Sequence, residues 1–165
     1  MRKLFKLAVL GVAVALGVWV WGVLFPSPEK VIRGRIQEIA ELVSFPPNER
    51  PLTALSSVQR LCSLASPDVE IRVEVPGAGR GIVQGREELR QGAMAFRSTV
   101  NGAKVKFPDV SVALAADRQS AEVLVTVEAR VATEPDTAIL EMKLAFQKLD
   151  GHWLVTRAET VKTLR

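Results

Sequence analysis

The segment "SAEVLVTVEARVATEPDTAILEMKLAFQKLDGHWLVTRAETV", Ser120 to Val161, decides how the rest of the chain is read. Apolar and polar residues alternate along it with the period of two that marks strands with one buried face. Asp150-Gly151 is a strong two-residue hairpin signal and sets Phe146 opposite Val155. With Pro135-Asp136 at the centre of the preceding turn, Val125, Val127, Ala129 and Val131 face Phe146, Leu144, Met142 and Leu140. That register also puts Glu128 opposite Lys143 and Arg130 opposite Glu141, two opposite-charge pairs. Upstream, a turn at Asp117 to Ser120 sets Val110, Val112 and Leu114 opposite Val127, Val125 and Val123. All three registers keep apolar with apolar, which a slip of one residue would destroy. The C-terminal half is therefore expected to be an antiparallel four-stranded meander with one apolar face, and that face must be covered.

Three helical patterns upstream are available to cover it. Ser27-Pro28-Glu29 combines a capping hydroxyl, a proline at the first helical position and an acid in the first turn. Ile32, Ile36, Ile39 and Val43 then recur at helical spacing until Phe45-Pro46-Pro47-Asn48 breaks the pattern. A second helix from about Pro51 to Ala65 places Leu55, Val58, Leu61, Cys62 and Ala65 on one face. "VEIRVEV" (Val69 to Val75) alternates as a half-buried strand with Glu70, Arg72 and Glu74 on its other side. A third helix runs from about Arg86 to Val100, ended by Asn101-Gly102. The fold class is α+β: three N-terminal helices packed on a strongly curved antiparallel sheet.

Between the first strand and the third helix lies "VPGAGRGIVQGREEL" (Val75 to Leu89), whose glycines suggest a nucleotide cradle. Gly79, Gly81 and Gly85 are spaced one residue too widely for the dinucleotide fingerprint, and the strands that follow are joined by tight antiparallel turns rather than helical crossovers. Arg86-Glu87 stands where a phosphate loop needs Lys-Ser/Thr. The stretch is instead read as a hairpin corner at Pro76 to Gly79, a short return strand and a helix entry at Gly85. No nucleotide is expected.

Leu7 to Phe25 is a run of apolar residues and glycines, long enough as a helix to cross the roughly 30 Å hydrocarbon layer. Trp19 and Trp21 suit an interfacial aromatic belt, and Arg2, Lys3 and Lys6 hold the N-terminus in the cytoplasm. The organisation expected is a basic N-terminus over residues 1–6, a membrane anchor over 7–25 and an extracytoplasmic domain over 26–165, at a cell (inner) membrane. A cleaved signal peptide with secretion is the alternative; it would leave much of the apolar run on the mature chain. Those three N-terminal cations precede every one of the 18 acidic residues that balance the chain's 22 basic ones. The remaining domain is thus nearly neutral, with no footprint for nucleic acid. One cysteine and one histidine exclude a disulfide within the chain and any cluster of such ligands around a metal, and no cofactor is expected.

The order helix, helix, short strand, glycine turn, Gly85-Arg86-Glu87-Glu88-Leu89 helix and long meander ending in "DGHWLVTRAE" resembles the nuclear transport factor 2-like superfamily. That group includes ketosteroid isomerase, scytalone dehydratase and the SnoaL-like polyketide cyclases, and the resemblance covers about residues 29–164. It implies a cone, a bent sheet wrapped around the helices that often leaves a pocket, and frequently a homodimer through the sheet.

Strict alternation in the last strand puts Trp153, Val155, Arg157, Glu159 and Val161 on the face shared with Phe146, Leu144 and Met142. Arg157 and Glu159 are therefore expected on the helix-covered side, as pocket-lining residues or as an ion pair. Trp153, Met142, Phe146 and Phe96 complete the expected interior. Glu74 falls near the position where the ketosteroid isomerase pattern carries its general base, and it is the catalytic candidate. Sites of that pattern also use a tyrosine hydroxyl and a protonated acid as oxyanion donors; this chain has no tyrosine, and His152 sits in a hairpin turn. The polar face with Thr126, Glu128, Arg130, Glu141, Lys143 and Gln147 is read as a solvated surface or a homodimer interface. The functional expectation is a membrane-anchored, non-catalytic binding or assembly module with a protein partner in the envelope. The alternative is a small-molecule lyase or isomerase with Glu74 as base and Arg157 and Glu159 orienting the substrate.

Overall fold

The computed structural model describes residues 27–75, 79–132 and 136–161. The Leu7–Phe25 anchor, the corner at Pro76 and the turn at Pro135 lie outside the described residues. Within them, no helix is long and apolar enough to cross a membrane.

Three helices and six strands make up the described part: α1 (Pro28–Val43), α2 (Pro51–Ser63), β1 (Ala65–Val75), β2 (Gly79–Gln84), α3 (Gly85–Thr99), β3 (Ala103–Leu114), β4 (Ser120–Val131), β5 (Thr137–Leu149) and β6 (His152–Thr160). The helices start where the sequence predicts. Ser27 accepts a hydrogen bond from the Lys30 amide, and Pro28 and Pro51 occupy first-turn positions that need no donor. Ile32 and Ile36 are buried from α1, as are Ala54, Val58 and Cys62 from α2. Leu55, expected on the same face, is instead 37% exposed.

The strands form one curved sheet in the order β2-β1-β6-β5-β4-β3. The meander is present, and the β1–β2 hairpin joins it through a parallel pairing of β1 with β6. One face carries the core: Ala121, Val123, Val125 and Val127 alternate along β4 and pack with Leu144, Phe146, Trp153, Val155, Ile32 and Ile36. The β5–β6 turn is the expected one, with Phe146 opposite Val155 and both Asp150 and Gly151 at positive φ.

Two registers differ from expectation, both by an even number of residues. Val110 pairs with Val125, and Leu114 with Ala121, because the β3–β4 turn is centred earlier, with Arg118 at φ 54° and the Asp117 carboxylate accepting from the Gln119 amide. Val125 pairs with Met142 rather than Phe146, and Val127 with Leu140. Glu128 consequently faces Ile139 and Arg130 faces Thr137, so the expected pairs with Lys143 and Glu141 are not made. Lys143 instead meets Glu122 at 2.6 Å. An even slip preserves which face each side chain occupies, so the core survives while the cross-strand charge pairing changes.

A third difference reverses a face. Ala145 pairs with Arg157 but its neighbour Phe146 pairs with Val155, so β6 carries one extra residue at Thr156. Beyond this bulge the alternation is inverted. Ala158 is buried at 5% exposure, while Arg157 is exposed.

Candidate functional site

Between the helices and the inner sheet face the cone holds a partly open cavity of about 250 Å³. Its walls come from every layer. Ile39 and Val43 of α1, Leu61 of α2 and Leu89 of α3 form the helical side. Ala65, Val69 and Ile71 of β1, with Val105 and Phe107 of β3, form two edges; Val125, Val127, Met142, Leu144, Val155 and Ala158 form the floor. Every one of these side chains is apolar.

The "GREEL" segment closes one side of the cone by a set of specific contacts. Gly85 adopts φ +81°, and a Cβ there would lie 3.4 Å from the Pro67 carbonyl oxygen, so the turn into α3 favours glycine. The Arg86 guanidinium donates from Nε and Nη2 to the Ala65 carbonyl at 2.9 and 2.6 Å, tying α3 to the start of β1. Glu88 accepts from the Gln84 amide at 2.7 Å, satisfying a donor that the helix start leaves open. Glu87 pairs with Arg90 at 2.6 Å; hydrogen bonds from Arg90 and Gln91 lower its carboxyl to about 2. Leu89, the last residue of the segment, faces the cavity. Under α3, Cys62 is buried and burial pushes its thiol up, against the opposing pull of Arg86 and Arg90. A thiol held neutral in this way is an inert core group.

The residues expected to carry chemistry do not meet. Arg157 pairs across the outer sheet face with Glu70 at 3.2 Å, and Glu70 also contacts Arg72. Glu159, on the same outer face after the bulge, stands in register with Arg72 on β1 and Lys143 on β5. Glu74 lies near the far end of the β1–β2 hairpin, paired with Arg80 at 3.1 Å, while its amide donates to the Thr160 hydroxyl. None of the three lines the cavity. Trp153 and Phe146 are buried in the core at 4% and 1% exposure, and Met142 lines the cavity. Phe96 is outside it, 45% exposed and packed edge-on against Phe45 with ring centroids 5.8 Å apart. Sequence reading overlooked Val105, Phe107 and Leu89; their apolar positions mark them as core, but nothing in them signals that space remains between.

At the end of the cone, Arg97 of α3 is held in a buried cluster. It pairs with Glu49, donates to the Leu42 carbonyl and lies 4.6 Å above the Phe45 ring. The cluster joins α3 to the α1–α2 connection and serves the frame rather than the cavity.

Among the described residues, no group of acidic, histidine or cysteine side chains could hold a metal ion. No buried polar side-chain atom in the described part lacks a partner.

No protein-family profile matches the chain, and no curated protein matches it. Solved structures do. A nuclear transport factor 2-like protein of unknown function from Pseudomonas putida KT2440 superposes with a TM-score of 0.62 at 10% identity, over 81% of this chain and 85% of that one. A Novosphingobium aromaticivorans protein named as a candidate aromatic ring hydroxylase gives 0.63 at 11%, over 82% and 88%. Another from the same organism, named as a candidate scytalone dehydratase, gives 0.59 at 18%, over 82% and 84%. The chain therefore has the nuclear transport factor 2-like, or cystatin-like, α+β fold. At these identities the likeness extends to the fold alone, and fold does not fix function.

Proposed function

We propose that the protein is a binding module whose cone holds a small apolar ligand without transforming it, tethered by Leu7–Phe25 with its domain outside the cytoplasm. The observation that carries this reading is the cavity lining, in which no side chain can donate a hydrogen bond or hold a proton. General acid–base chemistry needs such a group within hydrogen-bond reach of the reacting atom, and electrostatic stabilisation needs a donor aimed at the developing charge. Glu74, Arg157 and Glu159, the residues of the lyase or isomerase alternative, are all bound up in pairs or sheet positions elsewhere.

An apolar occupant is favoured in this space, because it would replace water or emptiness against a lining that offers only dispersion contacts. An engineered cavity of roughly 150 Å³ accepts benzene, so this one has room for a larger hydrocarbon.

The outer sheet face carries Leu124 at 49% and Ile139 at 65% exposure among its polar residues. On the same reading this face pairs two copies of the chain or meets an envelope partner; light scattering at micromolar concentration that shows only monomers removes the self-pairing.

Titration with neutral 1-aminonaphthalene tests the binding function, using the full-length protein in lipid nanodiscs and empty nanodiscs as reference. The reading requires a saturable fluorescence increase at one probe per chain. Ala158→Leu, which projects into the cavity, should weaken it by roughly tenfold or more. No saturable increase above empty nanodiscs, or binding untouched by Ala158→Leu, overturns it.

A further inference from the structure

Along the outside of the cavity wall, between α1 and the edge strand β3, runs a groove of about 620 Å³. It is held open between two pins. At one end Arg33 donates to the Val110 carbonyl at 2.8 Å; at the other the Ser44 hydroxyl accepts from the Val105 amide at 2.9 Å and donates to the Ala40 carbonyl of its own helix at 2.7 Å. Between the pins β3 bulges, with a register shift between Lys106 and Asp109 that includes Pro108. A bulge with proline on an edge strand bends it away from its neighbour. Val105 and Phe107 line both the groove and the cavity, so these two side chains are all that the two spaces share as a wall.

The two spaces differ in electrostatics. The cavity is wholly apolar, whereas the groove is lined by Arg33, Lys104 and Lys106 against a single acid, Glu41, among the described residues. Arg33 is engaged with Glu29 at 3.0 Å. Lys104 and Lys106 are exposed and make no ion pair within the described residues.

We propose that the ligand is a single-chain amphipathic anion, its hydrocarbon chain passing Val105 and Phe107 into the cavity and its head lying in the groove at Lys104 and Lys106. This rests on the cavity being a ligand site and adds the class of ligand. The dimensions agree: at roughly 30 Å³ per water-sized group, a cavity of about 250 Å³ holds a chain of about eight carbons. The charge agrees too, since two unpaired ammonium groups favour an anionic head and disfavour a cationic one.

Calorimetric titration of the full-length protein in nanodiscs, with empty nanodiscs as blank, compares three probes of equal chain length: octanoate, 1-octanol and octyltrimethylammonium. Octanoate should bind roughly three- to tenfold more tightly than octanol, the scale of one or two exposed charge contacts, and the cation more weakly than either. The double substitution Lys104→Gln, Lys106→Gln should abolish that order by bringing octanoate affinity down to that of octanol. Equal binding of all three probes, or a preference that survives the double substitution, overturns the anionic head and leaves the apolar site standing. If none of the three binds, the cavity reading itself falls, and this proposal with it.

Discussion

Arg157 and Glu70, 87 residues apart in the chain, are joined by a 3.2 Å hydrogen-bonded ion pair on the outside of the sheet. Their meeting depends on Thr156, the extra residue in β6 that turns Arg157 outward and brings Ala158 to the cavity wall. Arg157 is 53% exposed at its side chain, so Arg157→Ala should change stability by no more than about 1 kcal/mol and leave ligand binding intact. Deleting Thr156 tests the bulge itself. It leaves Val155 inward, Arg157 outward and Ala158 inward in one unbroken alternation, so the Arg157–Glu70 pair and the cavity wall should survive and the loss should again be small. Urea denaturation of both variants checks this; a loss of several kcal/mol on deletion, the scale of an unpaired buried charge, would mean that Arg157 had been driven inward and that Thr156 is not the extra residue.

The Glu49–Arg97 pair should behave in the opposite way. Its side chains are only 9% and 6% exposed, so removing one partner strands a buried charge. Glu49→Gln is expected to lose about 3–5 kcal/mol, and the double replacement Glu49→Gln, Arg97→Met should recover part of it. A double-mutant cycle on denaturation free energies checks this. Additive losses would contradict a coupled pair.

Acid should weaken the α1–α2 contact through Glu38. Burial raises its pKa, but hydrogen bonds from Arg60, at 2.6 Å, and from Arg35, at 3.1 Å, outweigh that and hold the carboxyl below its usual range. A depressed folded-state pKa stabilises the fold fully above the unfolded value, about 4.3 for glutamate, and the contribution is lost as pH falls through the folded value. The stability gap between the wild-type chain and Glu38→Gln should therefore be widest near neutrality and shrink below about pH 4. A gap independent of pH between 7 and 3 would show that Glu38 contributes only its shape.

What the sequence made legible was the face of each strand, and what it concealed was register. Period-two patterning identified the inward side of β4 and β5 even though Val125 meets Met142 and not Phe146, because an even slip leaves the pattern unchanged. The bulge at Thr156 escaped for a related reason: pairing on both sides of β6, with β5 and with β1, sets it, and no residue in "WLVTRAET" marks it. One sign was available. Strict alternation demanded Arg157 and Glu159 inside an apolar stripe, a violation of the burial rule that a single extra residue relieves. The cavity was hidden differently. Helical and strand stripes name its walls, but the unfilled volume among Ile39, Leu89, Phe107 and Met142 depends on where the helices sit over the sheet, which no local pattern encodes.

The central claim is that the cone holds an accessible, wholly apolar site, and a crystal of the protein under xenon pressure tests it most directly. The account predicts a xenon atom among Val125, Met142 and Ala158, with no ordered water there before gas is applied, because an apolar cavity stays dry. Ordered water in that position, or a cone that takes up no xenon, would contradict it.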